Sequence, residues 1–322
     1  MNTLDEILSR RLLFTVGKGG VGRTTVSLAL ALAAARRGKQ VLLIEFEGGR
    51  SLEKGLADLR DHADTAAVAE SLGYCVVDGR TALEEYLGMV VPVRRLLGTI
   101  FRSAIYQYFV AAAPGLKELM AIGKIWFEAE RRERDGEGPD LVIVDAPATG
   151  HGLQYLRMPQ AAAETFGSGL VHREAERVAG LLRDHERTAA VLVTLPEEMP
   201  VREAVALHTG LAEVGMACGG LVVNEYHEPP CTPDDLAAFE AAAAGLASAP
   251  AETRAAAEAL GAARVEAVRA EWNEAQVRQL EAALGQDPAL LPFLFCEEFG
   301  SEELGHLSAC LACEWGESEV PA

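Results

Sequence analysis

No stretch of this 322-residue chain reaches the roughly 18–20 uninterrupted apolar residues that a membrane-spanning helix needs. Stable membrane insertion is therefore not expected. The first residues, Met1 to Leu13, carry Asp5, Glu6, Arg10 and Arg11 and lack the apolar centre of a signal peptide. With nothing to export or anchor it, a cytoplasmic chain is expected. Cysteine is scarce, six in all, and only Cys310 and Cys313 form a close pair. That excludes a disulfide framework and suits a reducing compartment. Positive charge is short as well: 29 lysines and arginines face 48 aspartates and glutamates, for a net charge of −19. Such a surface repels nucleic-acid phosphates and anionic headgroups, so nucleic acid is not an expected partner. A linker rich in Pro, Gly or Ser is missing, as are an internal repeat and a second glycine loop. One domain over 1–322 is expected.

What is present is a β-α-β opening. Leu12–Val16 is a short apolar run, Gly17–Gly22 a glycine turn, and Thr24–Arg37 a stretch rich in Ala and Leu that Gly38 ends. Val41–Ile44 is the next apolar run. Neither run alternates polar with apolar residues, as strands covered on both faces do not. Further runs at Leu141–Val144, Ala190–Val193, Leu221–Val223 and Leu291–Phe295 are separated by helix-like stretches. The fold class expected is α/β, a mostly parallel sheet with helices on both faces. A helical insert is expected at about 81–134 and a helical block at about 233–284.

The run Gly17-Lys18-Gly19-Gly20-Val21-Gly22-Arg23-Thr24-Thr25 is the strongest chemical signal. Several glycines let backbone N–H groups turn inward onto phosphate oxygens, and the helix that follows presents its positive end. Thr24 is suited to place a hydroxyl on magnesium and Thr25 to reach a phosphate oxygen. A glycine turn between an apolar strand and a helix, ending in basic-Thr-Thr, predicts ATP or ADP binding with Mg²⁺.

This loop resembles the deviant Walker A motif of the MinD, ParA and ArsA group of P-loop ATPases. In that group a lysine early in the loop, here Lys18, reaches across a dimer to the partner's nucleotide. The resemblance implies a nucleotide-sandwich dimer, either a homodimer or a heterodimer with an ArsA-like paralogue. Arg23 departs from the pattern, because the group has its phosphate-loop lysine there. A planar guanidinium keeps the charge but not the shape of an ammonium, so weakened hydrolysis is expected.

Asp145-Ala146-Pro147-Ala148-Thr149-Gly150-His151 follows the run Leu141–Val144. A carboxylate at the end of a buried strand is placed to hold magnesium's water shell. The segment resembles switch II of ArsA and of the guided-entry ATPase that delivers tail-anchored proteins. The resemblance makes Asp145, Pro147, Thr149, Gly150 and His151 the switch, with Thr149–His151 as a turn that responds to the terminal phosphate. In the same family an aspartate after the second strand orients the attacking water. Glu47 stands at that position, one methylene longer. Asn224, in Val222-Val223-Asn224, and Pro292, in Leu291-Pro292-Phe293, resemble the residues on the two sides of the adenine. Thr194-Leu195-Pro196 also follows the family pattern.

Weaker signals have simpler explanations. His306, Cys310 and Cys313 share one face of a helix, and a zinc ion on Cys310 and Cys313 is the lesser reading beside a helix face carrying two small thiols. Phe101, Tyr106, Phe109, Leu116, Met120, Trp126 and Phe127 concentrate apolar surface in the insert, where ordinary helix packing is preferred to a groove for a client. The resulting expectation is an ArsA-like ATPase whose nucleotide state switches a dimer toward an unidentified protein client. The alternative is a catalytically weak regulatory subunit paired with an active paralogue. A carrier of tail-anchored proteins is the third reading.

Overall fold

The computed structural model describes residues 3–46, 51–90, 101–104, 106, 115–232, 234–235, 237–238, 241–242 and 251–316, with backbone alone at 90, 149–151 and 251–257. Seven strands form one sheet: β1 (Leu12–Gly17), β2 (Val41–Phe46), β3 (Leu72–Val77), β4 (Leu141–Asp145), β5 (Thr188–Thr194), β6 (Cys218–Tyr226) and β7 (Ala289–Pro292). Their spatial order is β3-β2-β4-β1-β5-β6-β7, and every neighbouring pair is parallel. The sheet is the one expected, with two corrections. Leu72–Val77 is a strand that the apolar-run reading missed, because Gly73, Tyr74 and Cys75 interrupt its aliphatic character. The last strand lies at Ala289–Pro292 and ends before Phe293, earlier than Leu291–Phe295.

Alternate residues along each strand feed two cores. Leu13, Leu43, Ile143, Val191 and Val193 face a layer made of α1 (Leu4–Leu8), α2 (Arg23–Arg36), α3 (Ser51–Asp61), α4 (Ala63–Ala69) and α11 (Ser301–Glu314). Phe14, Val16, Ile44, Val144 and Leu192 face the opposite layer. There lie α6 (Leu116–Asp135), α7 (Thr149–Phe166), α8 (Leu170–Arg183), α9 (Glu198–Glu213) and part of α10 (Ala251–Leu284). Burial on both faces is why the strands read as continuous apolar runs. Helices α5 (Gly79–Val90) and α6 fall in the range expected for a helical insert, of which 91–100, 105 and 107–114, Phe109 among them, lie outside the described residues; α10 falls in the range expected for the helical block. Near the chain's start, a Thr3–Glu6 capping box nucleates α1, which buries Leu4, Ile7 and Leu8.

Strand order decides where a ligand can enter. The chain leaves β1 for β2 and returns to fill the gap with β4, then crosses to β5 on the far side of β1. The carboxyl ends of β1 and β4 therefore lie side by side at the point where the winding reverses, which is where open α/β sheets form their crevice.

Candidate nucleotide site

The loop after β1 is shaped by close approach and by two left-handed glycines. Gly17 is the last residue of β1 and pairs with Val193 of β5. A β-carbon there would stand 2.3 Å from the Val193 carbonyl oxygen, so a side chain is excluded. Gly20 and Gly22 take φ of 87° and 88°, a region costly for other residues. Gly22 is the N-cap of α2 and supplies no side-chain cap, which leaves the first N–H groups of that helix directed into the loop. Val21 is buried and pins the loop's crest to the core, while Gly19 lies beside Ala148. Thr25 follows in the first turn of α2.

Thr24 and Asp145 meet beneath the loop. The Thr24 hydroxyl donates to Asp145 Oδ2 at 2.5 Å. Asp145 is buried, and its other oxygen, Oδ1, has no hydrogen-bond partner. Burial raises the carboxyl above its ordinary pKa; Thr24 and Arg23 oppose the shift and Glu45 adds to it. A buried carboxylate oxygen without a partner, beside a hydroxyl, is a donor set of the hard-oxygen kind that Mg²⁺ takes.

Arg23 does not extend into the loop. Its guanidinium donates to the Ala146 carbonyl, one residue past β4. Burial lowers its pKa, with Asp145 partly opposing. Lys18 forms an ion pair with Glu203 of α9 at 3.1 Å. Pro147 is half-buried and Ala148 exposed. Thr149, Gly150 and His151, expected as a turn, form the first turn of α7, with Ala148 serving as N-cap. Glu47 lies outside the described residues.

Asn224 ends up against the loop. It is buried near the end of β6, and its Nδ2 donates to the Val21 carbonyl at 3.1 Å. One amide donor is thus committed to the loop's backbone, whatever the other edge of the carboxamide meets. Glu225 beside it, next to last in β6, takes φ 55°, a left-handed conformation that is costly for a non-glycine residue. Pro292, half-buried, stands opposite Tyr226, and the Phe293 N–H donates to the Tyr226 carbonyl at 2.8 Å. Next to these lies a cavity of about 520 Å³ lined by Leu195, Pro196, Glu225, His227, Asn273 and Phe293, among others. His227 stacks on Phe293 with centroids 4.5 Å apart and pairs with Glu266 at 2.7 Å. Asn273 of α10 donates to the Pro196 carbonyl at 3.2 Å, tying that helix to the segment after β5. Asn224, Pro292 and Thr194–Pro196, far apart in sequence, are thereby brought to one place.

Residues 10–174 and 169–241 match the anion-transporting ATPase (ArsA) family. The chain belongs to the ArsA ATPase family. ATPase BagA of Mycobacterium tuberculosis is 32% identical over 237 residues, covering 70% of this chain and 68% of that one. ATPase GET3 of Candida glabrata is 24% identical over 261 residues, covering 70% and 75%. The arsenical pump-driving ATPase of Escherichia coli is 26% identical over 231 residues, covering 66% of this chain and 39% of its own. With the seven-stranded parallel sheet, these likenesses make this ArsA-family chain a nucleotide-binding protein of the P-loop class.

Sequence reasoning missed three features of the site. Glu45, next to last in β2, lies directly opposite Asp145 and is buried, accepting from the Tyr74 hydroxyl at 3.0 Å and the Ser51 N–H at 3.1 Å. Its signal was a charged residue at the end of an apolar run. Thr15 and Ser27 form a buried hydroxyl pair at 2.6 Å that links β1 to α2. Glu203 left no signal at all, since a glutamate on an outer helix is ordinary. At the other end of the chain, His306 and Cys310 lie 3.5 Å apart and Cys313 is exposed. Among the described residues no group of three or more His, Cys, Asp or Glu is gathered to hold a metal. No described helix is long and apolar enough to cross a membrane.

Proposed function

We propose that this ArsA-family chain binds ATP with Mg²⁺ on Gly17–Thr25 and Asp145, and that its nucleotide state opens and closes a cytoplasmic dimer that engages a protein partner. Hydrolysis in this reading is slow. The observation that carries it is the unpartnered, buried Oδ1 of Asp145 beside the Thr24 hydroxyl, under a loop bent by Gly20 and Gly22.

The loop amides and the start of α2 bind phosphate oxygens, and Thr24 and Asp145 hold the metal through oxygen. Mg²⁺, when bound, neutralises phosphate charge and lowers the barrier to transfer. Lys18, as in the deviant Walker A pattern, neutralises charge on the partner's nucleotide, and Glu47 orients water. Asn224 keeps the loop's crest in place, with Pro292 on the other side of the base. Loss of the phosphate releases Asp145–His151, and the motion passes into α7.

A second reading, a regulatory subunit that binds nucleotide without useful turnover beside an active paralogue, is favoured by Arg23. Its guanidinium is engaged by the Ala146 carbonyl, and a fork of that width does not reproduce a lysine between terminal phosphates. The partner surface proposed is the apolar cavity of about 950 Å³ between α5, α6 and α8, lined by Leu83, Leu87, Leu119, Trp126, Phe127 and Leu170. A client presenting an apolar helix suits it, which keeps the tail-anchored carrier as the narrower variant.

Titration of the purified chain with ATP, with and without Mg²⁺, tests the proposal. Expected is binding that tightens with Mg²⁺ and loses that dependence in Asp145→Ala. No affinity for adenine nucleotide under either condition ends the proposal. Steady-state turnover then separates the two readings: measurable hydrolysis abolished by Glu47→Gln supports the enzyme, and none supports the regulatory subunit.

A further inference from the structure

We infer that Glu203 is a positioning residue for Lys18, holding its ammonium within its own subunit until a triphosphate on a second subunit competes for it. The inference rests on the dimer reading above and concerns a residue that no motif marks.

Three observations carry it. First, Lys18 Nζ and Glu203 Oε1 stand 3.1 Å apart, with the two side chains about equally exposed, 33% and 34%. The pair lies at the surface, where a second subunit's nucleotide can reach it. Second, the two partners are carried differently. Lys18 sits between Gly17 and Gly19 on the loop, whereas Glu203 is carried on α9, anchored by the buried Val201, Ala204 and Leu207. The carboxylate is the post, and the lysine, on its flexible four-carbon stem, is the arm. Third, the neighbouring charges on α9 are already paired: Arg202 binds Glu198 at 2.7 Å, one turn back. Glu203 is left to meet the loop.

The chemistry gives the contact a direction. An ion pair one-third exposed is weak, and a single carboxylate is a poorer acceptor for an ammonium than the clustered oxygens of a triphosphate. Glu203 therefore retains Lys18 in the absence of a partner's nucleotide and yields it when one arrives. Each closed dimer breaks two such pairs, one per subunit. Removing them shifts the dimerisation constant by about two- to thirty-fold in favour of the dimer, taking the usual range for exposed pairs twice over.

The test is analytical ultracentrifugation of the full chain with Mg²⁺ and a non-hydrolysable ATP analogue, comparing wild type, Glu203→Gln, Lys18→Ala and the double variant. Thermal midpoints, expected to stay within a few degrees of wild type, report on folding. Expected is a tighter dimer for Glu203→Gln, a gain that shrinks as ionic strength rises, and no gain from Glu203→Gln in the Lys18→Ala background. An unchanged or weaker dimer for Glu203→Gln overturns the inference and leaves the dimer reading standing. An equal gain with and without Lys18 also overturns it, since removing one negative charge from a highly acidic chain is then the whole effect. A wild-type chain that stays monomeric with nucleotide removes both the inference and the reading beneath it.

Discussion

The Asn224 carboxamide occupies the space that a side chain on Gly22 would take: a β-carbon at Gly22 would stand 2.1 Å from Asn224 Nδ2. Residues about two hundred positions apart thus define one another. Gly22 must be glycine both for its φ of 88° and for this contact, and Asn224 uses the cleared space to reach the Val21 carbonyl. The left-handed backbone alone costs a substituted residue about 1–2 kcal/mol. Gly22→Ala is expected to lose nucleotide binding and to destabilise the fold by more than that. Asn224→Ala should cost about 1–3 kcal/mol, because it leaves the Val21 carbonyl unsatisfied. In the double variant the clash is gone and the losses should be less than additive. Chemical denaturation of the three variants reads this directly; strict additivity would mean the two residues do not meet.

Asp145 should trade stability for function. Burial raises its carboxyl from the ordinary value of 3.8, so the folded chain binds that proton more tightly than the unfolded one. For this group, stability is highest at low pH and falls as pH rises from the unfolded value through the raised folded one. Asp145→Asn removes the charge. It is expected to raise the thermal midpoint of the nucleotide-free chain at neutral pH while abolishing the Mg²⁺ dependence of nucleotide binding. Calorimetry without ligand and titration with it give the two readouts.

Arg23→Lys tests the departure from the ordinary phosphate loop. The lysine cannot reproduce the guanidinium's hold on the Ala146 carbonyl, but it restores a compact charge at the head of α2. Turnover is expected to rise by about an order of magnitude or more, on the scale of single contacts in phosphoryl transfer. If turnover instead falls, the guanidinium itself is the effective group.

The cysteines should label in an order set by burial. Cys296 and Cys313 are exposed, whereas burial pushes the Cys218 thiol up to about 11 and raises those of Cys75 and Cys310. Alkylation at pH 7.5 followed by mass spectrometry should modify Cys296 and Cys313 first and Cys218 last. Early labelling of Cys218 would mean that β6 opens readily.

Much of the candidate site was legible because its parts are local. The glycine turn, the basic-Thr-Thr start of α2 and the acid at the end of β4 each follow from a strand, a turn and a helix within a few residues. Other parts were hidden for physical reasons. Leu72–Val77 is an edge strand, paired with β2, and lacks a fully apolar run, so its pattern was weak. Thr149–His151 was expected as a turn from the switch II resemblance, and α7 begins there.

Sequence alone determined that this chain builds a buried parallel sheet with a glycine turn after its first strand, since apolar runs and glycine positions act through neighbours. Tertiary structure alone decided that Asn224 supports Val21, that Glu45 lies opposite Asp145, that Arg23 meets Ala146 and that Lys18 meets Glu203. Those pairings depend on strand order and helix placement, which bring together side chains whose spacing along the chain carries no record of their distance in space.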